Sequence, residues 1–255
     1  MSETDNIYDC IQELLGDVKN SVSILEDQID NTVQTEYFNF ERENINEVNS
    51  KKIFNNREFI FSPDCSIEEK KYLLCNMAGI DHIEVYRTIE KYTRDPKNPI
   101  MDWARLALKE NRLLLQSKLL DESQVLISTG LGGKGLNLRY FIVFFTISGK
   151  PFTRFEREII KKEINYALKD TGGETESLKF NKELCLVLAC IPIHISINIL
   201  INSIIHECNQ ISKFLHVKYI VTNVRKYKHT EIRNFLQQNG IPTTGNSLHV
   251  SRHFR

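Results

Sequence analysis

From Leu138 to Val224 the apolar positions switch between two periods. Leu138–Ile147 is an apolar run that reads as a strand. From Arg154 to about Lys169, Phe155, Ile159, Ile160, Ile164 and Leu168 recur at helical spacing behind Thr153, a good N-cap. Glu174–Phe180 and Glu183–Ile195 read as strands joined across Asn181-Lys182, and Thr171-Gly172-Gly173 ends the helix before them. Ile197–Ile211 returns to the helical period behind Ser196, and His216–Val224 reads as a closing strand. The order βαββαβ predicts an α+β domain of the ferredoxin-like kind, with helices covering one face of an antiparallel sheet. That fold carries many unrelated functions, so it names no chemistry.

Upstream, Tyr8, Ile11, Leu15, Val18, Val22, Leu25 and Ile29 are separated by alternating threes and fours, the seam of a coiled coil. This predicts an amphipathic, coiled-coil-like helix over residues 1–33 in which Ile11, Leu15, Val18, Val22, Leu25 and Ile29 form an oligomerisation or packing stripe. Residues 34–62 are polar and rich in Asn and Glu, and read as a linker. Residues 63–122 read as a helical module: Ser66 with Glu69 makes a capping box, Gly79 is a C-cap, Asp81 opens a second helix, and Asp95-Pro96 and Pro99 stop it. A third helix carries Trp103, Leu106, Leu108, Leu113, Leu114 and Leu119. The α+β domain is expected over 123–228, its first strand at Val125–Ser128, and residues 229–255 read as a basic tail with a short helix near Thr230–Gln238.

Composition adds little until charge is resolved along the chain. The 255 residues are 41% hydrophobic and 26% charged, ordinary globular usage, and 33 basic groups balance 33 acidic ones. Residues 1–50 nevertheless hold twelve acidic side chains against Lys19 and Arg42, whereas residues 213–255 hold eight basic ones against Glu231 alone. No CxxC pair occurs among Cys10, Cys65, Cys75, Cys185, Cys190 and Cys208, and the acidic first twenty residues have no apolar core of a signal. The expectation is a reduced, cytoplasmic protein. Leu184–Ile205 lacks any Asp, Glu, Lys or Arg, yet its period changes at Ile197, so it reads as strand followed by buried helix rather than as a membrane span.

Three stretches bear on chemistry. Gly130, Gly132, Gly133 and Lys134 form a glycine-rich loop able in principle to cradle an anion, but no Gly-x-x-x-x-Gly-Lys-Ser/Thr motif is present and a strand follows where a P-loop needs a helix. Read structurally, the loop is a hairpin turn. Arg225, Lys226, Lys228 and Arg233, with Tyr227 and Phe235 interleaved, combine phosphate-binding cations with rings on which bases stack. The Tyr140, Phe141, Phe144 and Phe145 run lacks the partner signature of an RNA-recognition domain on the third strand. No histidine or cysteine spacing matches a metal site, no nucleophile signature appears, and no cofactor is expected.

These readings lean away from an enzyme and favour an adaptor or regulator working through protein contacts or self-association, using the sheet's open face and the helical module. The alternative is an RNA- or ribosome-associated factor using the basic C-terminal segment, and a second is a phosphate-binding sensor or enzyme using the glycine loop.

Overall fold

In the computed structural model, residues 22–44, 49–122 and 124–243 are described. They divide after Leu136 into two compact units.

The first unit is mostly helical. Val22–Ile24 (β1) pairs in parallel with Val125–Ile127 (β2), Val22 opposite Val125 and Ile24 opposite Ile127. Around this ribbon come Asn31–Asn44 (α1), Ser50–Asn56 (α2), a 3-10 turn at Arg57–Phe61, Ile67–Ala78 (α3), Ile83–Thr93 (α4) and Met101–Leu120 (α5). Their core contains Leu25, Ile29, Tyr37, Ile60, Leu74, Met77, Ile89, Trp103 and Leu106. The expected Ser66/Glu69 capping box opens α3. The end of α3 is fastened by Asn111 of α5, whose buried amide nitrogen donates to the carbonyls of Met77, Ala78 and Ile80 at 3.1, 3.0 and 2.8 Å.

Three expectations are corrected here. Val22, Leu25 and Ile29 do not continue a helix: Ser-Val-Ser-Ile at 21–24 alternates as a strand does, and Leu25 and Ile29 follow it as buried loop residues in their own unit's core. Ile11, Leu15 and Val18 lie outside the described residues. The segment 34–62 is not a linker, because Tyr37, Ile53 and Ile60 bury enough apolar surface to hold two helices and a turn. The strand at Val125 forms, but it joins the helical unit, so the division falls after Leu136 rather than before residue 123.

The second unit is α+β: Asn137–Phe145 (β4, counting the two-residue strand Gly133–Lys134 of the first unit as β3), Arg154–Thr171 (α6), Glu174–Asn181 (β5), Leu184–Pro192 (β6), Ile197–Ile211 (α7), Ile220–Thr222 (β7) and His229–Gln238 (α8). Within it β7 pairs with β4, β4 with β6, and β6 with β5, every pairing antiparallel. Capping by Thr153 with Glu156 starts α6, and left-handed Gly172 ends it. One face of the sheet presents Ile142, Phe144, Cys185, Val187 and Ala189 to α6 and α7. The charge-free run splits as its period required, into β6 and α7, and among the described residues no helix is long and apolar enough to cross a membrane.

The other sheet face is not open. Phe141, Val143, Phe145, Leu184, Leu188 and Cys190 are buried there. Helix α8 is held at this face by a hydrogen bond between His229 and Asn181, 3.2 Å, and it buries Ile232 and Leu236. Pro242 beyond it packs on Gly149. Residues 229–243 are therefore part of the folded unit rather than a loose tail.

Gly132 marks a point where only hydrogen fits. Its φ is +67°, and an added Cβ would lie 2.5 Å from the carbonyl oxygens of both Glu26 and Asp27. Gly132→Ala is expected to destabilise the helical unit by about 2 kcal/mol or more, combining the left-handed penalty with a backbone clash. The midpoint of urea unfolding followed by Trp103, the chain's single tryptophan, measures it.

Candidate nucleic-acid interface

The short strand β7 and helix α8 leave a groove of about 550 Å³ between them. One wall is Tyr219, Val221 and Tyr227. The other is the stripe Glu231, Asn234, Phe235 and Gln238, successive positions on one face of α8. Tyr219 is anchored by its hydroxyl, which donates to Asn198 Oδ1 on α7 at 2.9 Å. The Arg225 guanidinium stands 4.8 Å from the centre of the Tyr227 ring and forks onto Glu231 at 2.9 and 2.7 Å. Glu231 also accepts the Lys228 N–H at 2.7 Å. These contacts, the Arg225 fork first, hold its carboxyl down near 2, so Glu231 is an anion at every physiological pH.

The structure thus places Tyr227 and Glu231 in the groove lining with Arg225 against both of them, while Lys226 and Lys228 are exposed on the same segment without lining it. Arg233 sits on the exposed side of α8, outside the groove. Tyr219, Asn234 and Gln238 were not singled out by sequence. The spacing of Glu231, Asn234, Phe235 and Gln238 contained the signal, but it becomes visible only once the buried stripe Ile232–Leu236 fixes which side of α8 faces in. The aromatic run of β4 offers no stacking platform: Phe141, Phe144 and Phe145 are buried and Tyr140 packs against the helix-side core.

The glycine loop has a different character from the one its composition suggests. Gly130, Gly132 and Gly133 are buried, and Lys134 and Gly135 are exposed. The Gly132 N–H is used by the Thr129 carbonyl at 3.0 Å and the Gly135 N–H by the Glu26 carboxylate at 3.2 Å. Two donors of a would-be anion cradle thus serve the chain itself, one of them an acidic side chain.

Two further polar clusters occur, one in each unit. On the second sheet face Arg139 forks onto Glu176 at 2.6 and 2.8 Å, and the Cys190 thiol lies 3.4 Å from the same carboxylate. Glu174, Glu176 and Cys190 bring ligand-type atoms within 4.8 Å of one another, but with Arg139 seated on Glu176 the group is an ion pair that neutralises the start of β4. No histidine joins such a group among the described residues. Burial above all pushes the thiols of Cys75, Cys190 and Cys208 up to about 12, 11 and 12, so they stay protonated.

In the helical unit, fully buried Tyr37 donates to Glu110 Oε2 at 2.5 Å, and Glu41 hydrogen-bonds the same carboxyl group. Two carboxyl groups bond to each other only when they hold a proton, since both are otherwise acceptors. Burial above all, and then Glu41, push Glu110 up to about 8.

No protein-family model and no curated protein matches the chain. Among solved structures it is similar to a Deinococcus radiodurans R1 protein described as a "putative transposase", with 12% identity and a TM-score of 0.36, over 42% of this chain and 93% of that one. A likeness of that size carries no argument about function.

The proton on Glu110 has a measurable consequence. Its folded value lies above the unfolded value of about 4.5, so its stabilisation is complete below pH 4.5 and is lost as pH rises toward 8. Across that window the unfolded chain releases the proton first, and stability is expected to fall by about 1–3 kcal/mol. Glu110→Gln, an isostere of the protonated acid, should flatten the slope. Unfolding followed by Trp103 fluorescence, reading a ring 5.2 Å from Tyr37, at pH 4.5 and pH 8 tests this.

Proposed function

We propose that the α+β unit binds single-stranded RNA in the groove between β7 and α8, and that this unit is a cytoplasmic, ferredoxin-like domain. One observation carries the reading: the most basic segment of the chain coincides with an aromatic-lined groove of nucleotide dimensions. Lys226, Lys228 and Arg233 would take phosphates, whose contacts supply affinity without sequence preference. Tyr227 and Tyr219 would take bases, each stacked base contributing about 1–3 kcal/mol. Arg225 has a different role, because Glu231 already neutralises it: the pair fixes the edge of the groove and holds the Tyr227 ring.

The adaptor reading keeps one surface. A second groove of about 550 Å³ runs between α6 and α7, with Tyr166 and Ile199 exposed along it and Glu163, Asp170 and Glu207 beside them. Its other supports weaken, since the sheet's second face, Val22, Leu25 and Ile29 are all buried. The RNA reading has both charge and aromatic rings in its favour, and it is preferred for that reason.

Charge reversal separates the two. Lys226→Glu with Arg233→Glu is expected to weaken binding of a fluorescent twelve-nucleotide RNA at least tenfold in an anisotropy titration. The slope of log affinity against log salt should fall by about 1.4, the contribution of two phosphate contacts on a single strand. Parental affinity and an unaltered slope would overturn the RNA reading.

A further inference from the structure

We infer that the groove between α6 and α7 docks a basic amphipathic helix of a partner protein, with apolar anchors against Tyr166 and Ile199 and cations beside Glu163, Asp170 and Glu207. It concerns a different groove from the one assigned to RNA and does not rest on that reading. Helices α6 and α7 pack on the sheet through Ile159, Ile160, Ile164, Ile201 and Ile205, and turn other stripes to solvent. On α7, Ile199, Ser203 and Glu207 recur every fourth residue along one side, facing Glu163, Tyr166, Ala167 and Asp170 of α6. Ala167 and Ser203 are small, which leaves a trough of about 550 Å³ with buried Leu200 and Ile204 in its lining. From Ile199 to Glu207 the trough runs about 12 Å along the axis, a little over two helical turns. A helix laid along it would place apolar anchors one turn apart against the two large side chains. Tyr166 and Ile199 are 71% and 72% exposed, and large apolar side chains left bare around a concave surface mark an interaction site.

Charge decides the occupant. Three carboxylates line the trough and no Lys or Arg does. Among the described residues none of the three is held in an ion pair. A nucleic acid or an acidic lipid surface would meet like charge there, and a second copy packed face to face would bring two such sets of carboxylates together. A helix with Lys or Arg flanking its apolar stripe meets both features at once. Ion pairs at such a rim add little affinity, so Tyr166 and Ile199 carry the binding and the carboxylates carry the choice of partner.

The experiment titrates the full chain into a fluorescent peptide of about eighteen residues, five helical turns, with leucine on one face and lysine on the other. A twin carries glutamate in place of lysine. The lysine peptide is expected to bind at least tenfold tighter than its twin, with an affinity that falls as salt rises. Tyr166→Ser with Ile199→Ser should weaken it at least tenfold, as the loss of two anchors does. Glu163→Gln, Asp170→Asn and Glu207→Gln together should weaken it at low salt and remove most of the salt dependence. An unchanged melting temperature confirms that each variant folds. No binding, equal binding of the two peptides, or parental affinity in the serine variant overturns the inference. Salt dependence that survives in the amide variant overturns the role of the carboxylates. A dimer of the free chain in sedimentation that the serine variant dissolves assigns the groove to a second copy and also overturns it. RNA affinity is expected to be the same in the serine variant as in the parent, so failure here leaves the RNA reading standing.

Discussion

The nine-residue ladder between β4 and β6, from Asn137 opposite Pro192 to Phe145 opposite Leu184, sets the terms for the whole α+β unit. A central strand covered on both faces has no solvent-facing positions to fill with polar residues, which explains Phe141-Ile142-Val143-Phe144-Phe145 without alternation. One face then needs α6 and α7, and the other needs α8. Helix α8 is ten residues long and β7 three, and the groove lies between them at the β7 edge of the sheet, beside the covered faces rather than on one of them.

The acidic groups show how surroundings decide the role of one chemical group. Glu176 is exposed on β5 and meets the Arg139 fork, whose hydrogen bonds hold its carboxyl below the usual carboxylate range. Glu110 meets another carboxyl and a tyrosine hydroxyl, and there the lower-energy solution is to keep a proton. Glu231 meets an arginine at the surface, where water screens both, and its value to the fold lies in geometry rather than in energy. Of the three, only Glu231 lines the groove.

Much of the second unit was legible in the sequence. Its βαββαβ order, its α+β class, the hairpin across Asn181-Lys182 and the change of period at Ile197 all follow from spacing, because each element has a long and unmixed pattern. The misreadings occur where patterns are short. Three-and-four spacing over 22–29 fits a helix as well as a strand followed by a buried loop, and only the partner strand at Val125, about a hundred residues away, decides between them. Composition made 34–62 look like a linker because its few apolar side chains, Tyr37, Ile53 and Ile60, are outnumbered by Asn and Glu that face water. For the groove, the cations and Tyr227 were visible and the amides were not: Asn and Gln on a helix have no signature until the buried side of that helix is known.

Asn111 binds the helical unit in a way that depends on its chemical integrity. Two hydrogens on one side-chain nitrogen serve three carbonyls at the negative end of α3. The hydrolysis product of asparagine is aspartate, nearly identical in shape, yet it would set a carboxylate against those three oxygens and turn a clasp into a repulsion. The durability of this unit as the protein ages therefore rests on one amide remaining an amide, and the burial that makes Asn111 indispensable is also what shields it from the water that would convert it.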